Sequence, residues 1–207
     1  MTDNIYIKLV ETKEQKNQVK DIIENYHSYV PSNRSVGRRI DWLVYNNKKN
    51  TPLGMIGIGS SVYPPPKDIL KQMNLSKDEY KIIFNEIANN WRFCMVDNVK
   101  NAGTQILKKV RQQAPYEWKK KYGNELKVII TFVAGGNNGA VYLADNWKLI
   151  GKTAGLPKHK SVSMKWDSKE KLDEKFVKPT GENKKLIFFK DLRNKKNRKN
   201  SFLESLL

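Results

Sequence analysis

Residues 91–110 read WRFCMVDNVKNAGTQILKKV, and residues 128–147 read VIITFVAGGNNGAVYLADNW. The first run passes from an apolar strand over 91–96, through an Asn/Gly turn, into a long basic helix over 103–122. The second is a buried strand over 128–133, a glycine loop, and a short helix over 138–147. A strand that feeds a helix through small residues points free backbone N–H groups, at the positive end of the helix dipole, toward one spot. Phosphates and pyrophosphates are gripped in this way. A tyrosine and an amide on the following element complete the layout of a group-transfer site.

Working outward, 6–10 alternates as a first strand, and Thr12-Lys13-Glu14-Gln15 is a capping box. The helix it opens buries Val19, Ile22, Ile23 and Tyr26 at helical spacing and frays near 28–31. A basic loop follows (Arg34 to Arg39), then strands over 40–45 and 53–60 joined by a polar hairpin turn at 46–51. Glycines 54, 57 and 59 allow close approach to the second of these strands. One or two short helices are expected over 67–88. In the long helix Ile106, Leu107, Val110 and either Tyr116 or Trp118 face inward. Further strands are expected over 148–151, 161–166 and 186–190, the last closing the sheet. Interleaved strands and helices around one mixed, mostly antiparallel sheet make this an α/β (α+β) domain over 1–192. A basic tail over 193–207 follows, whose 193–200 portion is too charged to fold alone.

Composition sets the partner class. The 207-residue chain carries 39 Lys+Arg against 21 Asp+Glu, a net charge of +18 with a pI near 9.8. Such a balance favours a polyanion, and double-stranded DNA fits it better than a membrane surface. No apolar run reaches the ~20 residues needed to span a bilayer, and the N-terminus lacks a secretory apolar core. The single cysteine, Cys94, points to a reducing compartment, the cytoplasm. One cysteine with two histidines, His27 and His159, excludes a Cys/His structural zinc site. An iron site of His and carboxylate ligands stays open, as does a homodimer.

Four groups of residues could carry chemistry. The turn Lys100-Asn101-Ala102-Gly103-Thr104 reads as a phosphate cradle, or as an ordinary helix start with Asn101 as N-cap. His27 could act as a general base or metal ligand, or merely suit the C-terminal end of its helix. Tyr142 and Asn146 stand i, i+4 on the short helix, beside Asp145 and Trp147. The tyrosine could protonate a leaving group and the amide could read a base edge, or the aromatics could simply be core. Arg34, Arg38, Arg39, Lys119, Lys120, Lys121, Lys152, Lys158 and Lys160 could track a phosphate backbone, giving affinity without sequence choice.

Ordered blocks then carry a resemblance. They are Tyr26-His27; the strand from Arg38 to Tyr45 with Leu53-Gly54; Trp91-Arg92-Phe93; Val99-Lys100-Asn101-Ala102; Trp118 with Lys121-Tyr122-Gly123; Thr131-Phe132-Val133; and Gly139 to Trp147 with Gly151-Lys152-Thr153 and Gly155. Over roughly 22–160 the sequence resembles the DruA family of the Druantia anti-phage systems and, more distantly, the Mom family of phage DNA-modification proteins. Both look like members of the GNAT acyltransferase superfamily. The resemblance implies a sheet splayed around a cleft for acyl-CoA or another nucleotide-linked donor, with 101–104 at the pyrophosphate position. It also implies modification of adenine at its exocyclic nitrogen, with His27 and Tyr142 matching motif residues. DruA-type proteins carry a longer N-terminal region, so a stand-alone catalytic domain is expected here. After Thr131-Phe132-Val133, where both families commonly carry Asp, stands Ala134, so a Mom-type mechanism requires Asp145 or Asp97 in that role. A DNA base-modifying transferase is the first reading. A DruA-like DNA-binding component without catalysis is the second, and a GNAT enzyme acting on a protein or small amine is the third.

Overall fold

The computed structural model describes residues 4–27, 37–134, 136–155, 184–194 and 202. Seven strands form one sheet in the order β1-β2-β3-β4-β5-β7-β6. They are β1 (Ile5–Leu9), β2 (Arg39–Asn46), β3 (Lys49–Ser60), β4 (Ile87–Met95), β5 (Val128–Val133), β6 (Lys148–Lys152) and β7 (Leu186–Asp191). All neighbours run antiparallel except β4 and β5, which are parallel. The expected mixed sheet is therefore present, but β7 enters between β5 and β6 instead of closing an edge. Its apolar run Ile187-Phe188-Phe189, buried throughout, suits an interior strand, and the more polar KLIGK segment of β6 takes the edge.

Helices cover both faces. Helix α1 (Lys13–Tyr26) begins with the full Thr12/Gln15 capping box. It packs Val19, Ile22 and Ile23 against Leu43, Tyr45, Met55 and Cys94. Tyr26, the last residue of α1, is 54 % exposed instead of inward. The segment after the hairpin forms two short helices, α2 (Lys67–Met73) and α3 (Lys77–Ile82), which seal the same face farther along. Strand β4 starts earlier than its apolar run suggests, since Ile87 already pairs with β5 and Ala88 with both flanking strands.

Helix α4 (Ala102–Tyr122) lies on the opposite face with α5 (Ala140–Ala144). Its buried stripe is Ile106, Leu107, Val110, Ala114 and Trp118. Trp118 extends that i, i+4 series, whereas Tyr116 falls outside it and is 67 % exposed. The helix ends where Gly123 adopts φ +76 and closes the last turn on Lys119 O. Of the basic tail, Phe202 is buried beside Ile83 and Phe189. Its carbonyl accepts from Lys127 Nζ, and Arg193 lies 3.5 Å over its ring. The strand expected over 161–166, together with Arg34, Lys158, Lys160 and His159, lies outside the described residues.

Candidate active site

Strands β4 and β5 hydrogen-bond only at their beginnings, through Ile87/Val128, Ala88/Ile129 and Asn89/Ile130. Immediately beyond, β4 carries one extra residue against β3. Gly57 faces Arg92 and Ile58 faces Asn90, leaving Trp91 as a bulge. A bulge bends its strand and ends pairing, so β4 and β5 diverge. Side chains take over the lost backbone bonds at the fork. Thr131 Oγ1 donates to Asn90 O at 3.2 Å, and Asn90 Nδ2 donates to Gly57 O at 2.7 Å and Arg92 O at 2.9 Å. Gly57 is required here, because a Cβ would meet Asp41 Oδ1 at 2.2 Å and Trp91 Nε1 at 2.3 Å.

The fork opens into a cleft of about 440 Å³ walled by β4, β5, the end of α1 and the 137–142 segment. His27 and Tyr142 both line it. The backbone N–H of His27 closes α1 on Ile23 O at 3.2 Å, which holds the residue at the helix end. Tyr142 is 7 % exposed, stacks on Phe188 and meets Trp147 edge-on. Its hydroxyl donates to Asn90 Oδ1 at 2.7 Å. Tyr142 is thus both a core aromatic and a cleft hydroxyl. Neither Asn90 nor Arg92 stood out in the sequence as a site residue. The available signal was three polar residues, Asn89, Asn90 and Arg92, within a strand that is apolar elsewhere.

Two expectations about the short helix do not hold. Helix α5 stops at Ala144, and Asn146 adopts a left-handed backbone (φ 56) with its side chain exposed. The face it was to share with Tyr142 therefore never forms. Asp145 is buried but engaged elsewhere. It accepts from Arg111 Nε at 2.9 Å and Nη2 at 2.6 Å, and from Trp147 Nε1 at 2.9 Å, tying α5 to α4. Asp97 pairs with Lys49 at 2.6 Å near the surface. Neither carboxylate lines the cleft itself, although Asp97 lines the adjoining cavity at the start of α4.

The turn before α4 is not a side-chain cap. Asn101 takes φ +60 and makes no capping bond, while Thr104 Oγ1 donates back to Asn101 O at 3.3 Å. The first N–H groups of a helix have no partner within it; here the Asn101 side chain claims none of them, and the Ala102 N–H donates outside the helix to Val99 O at 3.1 Å. Lys100 and Asn101 are exposed and Ala102 is buried. Gly103 lets α4 approach α5, since a Cβ there would lie 2.3 Å from Val141 Cγ2. A cavity of about 250 Å³ sits at this turn. It shares Phe93, Met95 and Val141 with the cleft, so the helix start and the fork adjoin.

The cleft wall has a distinct electrostatic character. Among the described residues no Asp or Glu lines it, whereas Arg92 does. Cys94 also lines it, but burial pushes its thiol up to about 11, so it is a poor nucleophile at neutral pH. Among the described residues no three His, Cys, Asp or Glu side chains gather as a metal site. No described helix is long and apolar enough to cross a membrane.

Residues 1–206 match the family described as Druantia protein DruA. The chain belongs to the DruA family. No curated protein matches it. Solved structures show that this DruA chain has the fold of GNAT acetyltransferases. Spermidine N-acetyltransferase from Vibrio cholerae, in complex with CoA and spermine, superposes with a TM-score of 0.53 at 10 % identity, covering 91 % of this chain and 95 % of that one. A chimera of that enzyme with hSSAT gives 0.52, at the same identity and coverage. An acetyltransferase from Bacillus subtilis in complex with CoA gives 0.49 at 10 % identity, covering 92 % and 100 %.

In this DruA chain several expected phosphate-tracking cations have partners among the chain's own residues. The Arg38 guanidinium lies 4.9 Å over the Tyr122 ring and donates to Asn124 Oδ1 at 2.8 Å. Arg39 pairs with Asp41 and lies 4.1 Å over Trp91. Lys121 Nζ donates to Arg39 O at 2.9 Å, and Lys119 pairs with Glu125 at 3.3 Å. Lys120 and Lys152 are exposed. Burial is the largest influence on Asp41 and raises its pKa, against the opposing pull of Arg39 and of the Trp91 N–H.

Proposed function

We propose that this DruA-family protein is a GNAT-like acyltransferase acting on DNA, with the exocyclic amine of adenine as its acceptor. The observation that carries the reading is a cleft lined by Arg92 and by no described carboxylate. A cationic amine held in a partly buried site needs a counter-charge. A polycation such as the spermine bound by the Vibrio cholerae enzyme finds none here. A nucleobase amine is neutral at pH 7 and belongs to a polyanion, which agrees with a net charge of +18. Inside a duplex such an amine is stacked, so the base would be extruded into the pocket.

The residues present fit an acyl-CoA donor. The uncapped start of α4 offers the N–H groups of Gly103 and Thr104 to a pyrophosphate, the Ala102 N–H being taken by Val99 O, and Lys100 adds charge beside it. Beyond Asn89, β4 has no strand neighbour on its β5 side, so its backbone can hydrogen-bond an extended amide-bearing arm. Such a donor supplies an activated acyl carbon. The chain must then handle two protons. His27, at the cleft wall, would accept one from the attacking nitrogen. The Tyr142 hydroxyl would give one to the departing sulfur. This is the Mom-type reading of the chain, and it implies a cytoplasmic role in conflict between phage and host.

Mass spectrometry of nucleosides from DNA of expressing cells tests it. A modified adenosine should appear and be lost in Tyr142→Phe and His27→Ala. Unmodified DNA, or a modification that survives both changes, would refute the proposal. A second reading, a DNA-binding component without catalysis, is favoured by one observation: Ala134 lacks an acid, and Asp145 and Asp97 are committed to Arg111 and Lys49. It predicts no thermal shift with acetyl-CoA.

A further inference from the structure

Helix α4 carries six basic residues against one acid. Its apolar stripe, Ile106, Leu107, Val110, Ala114 and Trp118, is committed to the core. Away from that stripe, Lys108, Gln112, Tyr116 and Lys120 recur at intervals of four, which lines them up as one ridge along the helix. All four are exposed, Tyr116 by 67 %. Lys109 and Gln113 stand beside them. Among the described residues, Lys108, Lys109 and Lys120 pair with no acid. The other cations of the helix are engaged, Arg111 with Asp145, Lys119 with Glu125 and Lys121 with Arg39 O. The one acid, Glu117, lies on the flank toward β1, where it lines a cavity with Leu9, Ile40 and Lys120.

We infer that this ridge of α4 is a docking surface for duplex DNA, with its lysines on backbone phosphates. At 1.5 Å per residue the ridge spans about 18 Å, the axial length of about five base pairs. Lysines stand at both ends of it. The amides and the phenol between them can bond phosphate, sugar or a base edge. Charge complementarity selects the partner, since the ridge is cationic, carries no acid and belongs to a chain of net charge +18. A membrane surface fits less well. A helix that lies in a lipid interface buries a broad apolar face there, whereas the apolar stripe of α4 is spent on the core. Lys108 stands within two turns of the start of α4, which adjoins the cleft. The inference rests on the reading above only for the class of partner and requires no transfer chemistry.

The test is binding of a fluorescent duplex oligonucleotide by the full chain as salt is varied. The triple variant Lys108→Gln/Lys109→Gln/Lys120→Gln should bind about thirtyfold more weakly at about 0.1 M salt. It should also flatten the plot of log affinity against log salt by about two to three units. The same three positions changed to Arg should bind like the wild type. Tyr116→Ala should weaken binding about fivefold with the salt slope unchanged, because an uncharged contact releases no counterion. A charge-matched control on α2 and α3, Lys71→Gln/Lys77→Gln/Lys81→Gln, removes three exposed lysines elsewhere and should cost less than about threefold. All the variants should melt like the wild type, since every altered side chain is exposed or partly so. The inference is overturned if the ridge and control triples lose affinity equally, for the attraction would then be one of net charge alone. It is equally overturned if the ridge triple keeps the duplex but loses coenzyme A or phosphatidylserine vesicles. Absence of modified nucleosides, with the ridge effect intact, would sink the transfer reading and leave this surface standing. Modified nucleosides without a ridge effect would do the reverse.

Discussion

The hydroxyl of Tyr142 donates to Asn90 Oδ1 at 2.7 Å, while the amide nitrogen of Asn90 holds the Gly57 and Arg92 carbonyls on either side of the β4 bulge. One side chain therefore ties the short helix to the fork that creates the cleft. Tyr142→Phe removes one buried bond and leaves Asn90 Oδ1 short of that donor, a loss of about 1–2 kcal/mol. Asn90→Leu strands two carbonyls as well and should cost roughly 2–4 kcal/mol. Urea unfolding of both variants measures this. If Asn90→Leu proves as stable as the wild type, the fork does not depend on the amide.

The contact of Gly103 with Val141 predicts a reversible defect at the proposed donor site. Gly103→Ala places a methyl 2.3 Å from Val141 Cγ2, so α5 must move away from the start of α4. The expected destabilisation is about 1–3 kcal/mol, as for other overpacked contacts, with weaker coenzyme A binding. Val141→Ala should recover most of both in the double variant. Additive effects in that cycle would show that the two residues do not press on each other.

Legibility in the sequence followed the range of the interactions involved. The capping box at Thr12, the apolar stripe of α4 and the hairpin of β2 and β3 depend on residues a few positions apart, and they are found, although β3 begins at Lys49, inside the expected turn. The fork could not be read, because it depends on an extra residue in β4 relative to β3, a register between strands about 30 residues apart. Arg38 and Arg39 look like any basic pair in one dimension. Their partners Tyr122 and Asn124 lie more than 80 positions away, and Trp91 about 50. Asp145 and Asn146 lie away from the cleft for a local reason: α5 ends at Ala144, Asn146 takes a left-handed backbone, and the Asp145 carboxylate turns to Arg111 and Trp147.

The buried pairing of Asp145 with Arg111 predicts a structural phenotype for a residue that sequence motifs assign to the site. The aspartate side chain is 7 % exposed and the arginine 26 %. Asp145→Asn should cost roughly 2–3 kcal/mol, below the full range for a buried pair because Arg111 keeps some solvent. Arg111→Met should cost a similar amount or more, since it leaves the carboxylate buried. Thermal melts read the loss. A variant that melts like the wild type yet loses transfer activity would restore Asp145 to the chemistry.

Alkaline titration should expose the packing beneath the cleft. Burial raises the Cys94 thiol from an ordinary 9.0 to about 11 and the Tyr80 hydroxyl from 10.0 to about 12. In both cases the folded state keeps its proton longer than the unfolded chain. The stabilisation is thus complete below pH 9 for the thiol and pH 10 for the phenol, and is lost as pH rises through the folded values. A shift of two units corresponds to about 2.7 kcal/mol at most for each group. Urea midpoints should therefore fall between pH 9 and 12. Cys94→Ala should flatten the lower part of that decline, and Tyr80→Phe the upper part, where the hydroxyl now bonds Ser61 Oγ at 2.6 Å. In the native protein at pH 8, the Cys94 thiol should alkylate only as fast as the structure opens. Rapid modification under those conditions would mean that the α1 face is open where Cys94 contacts Ile22.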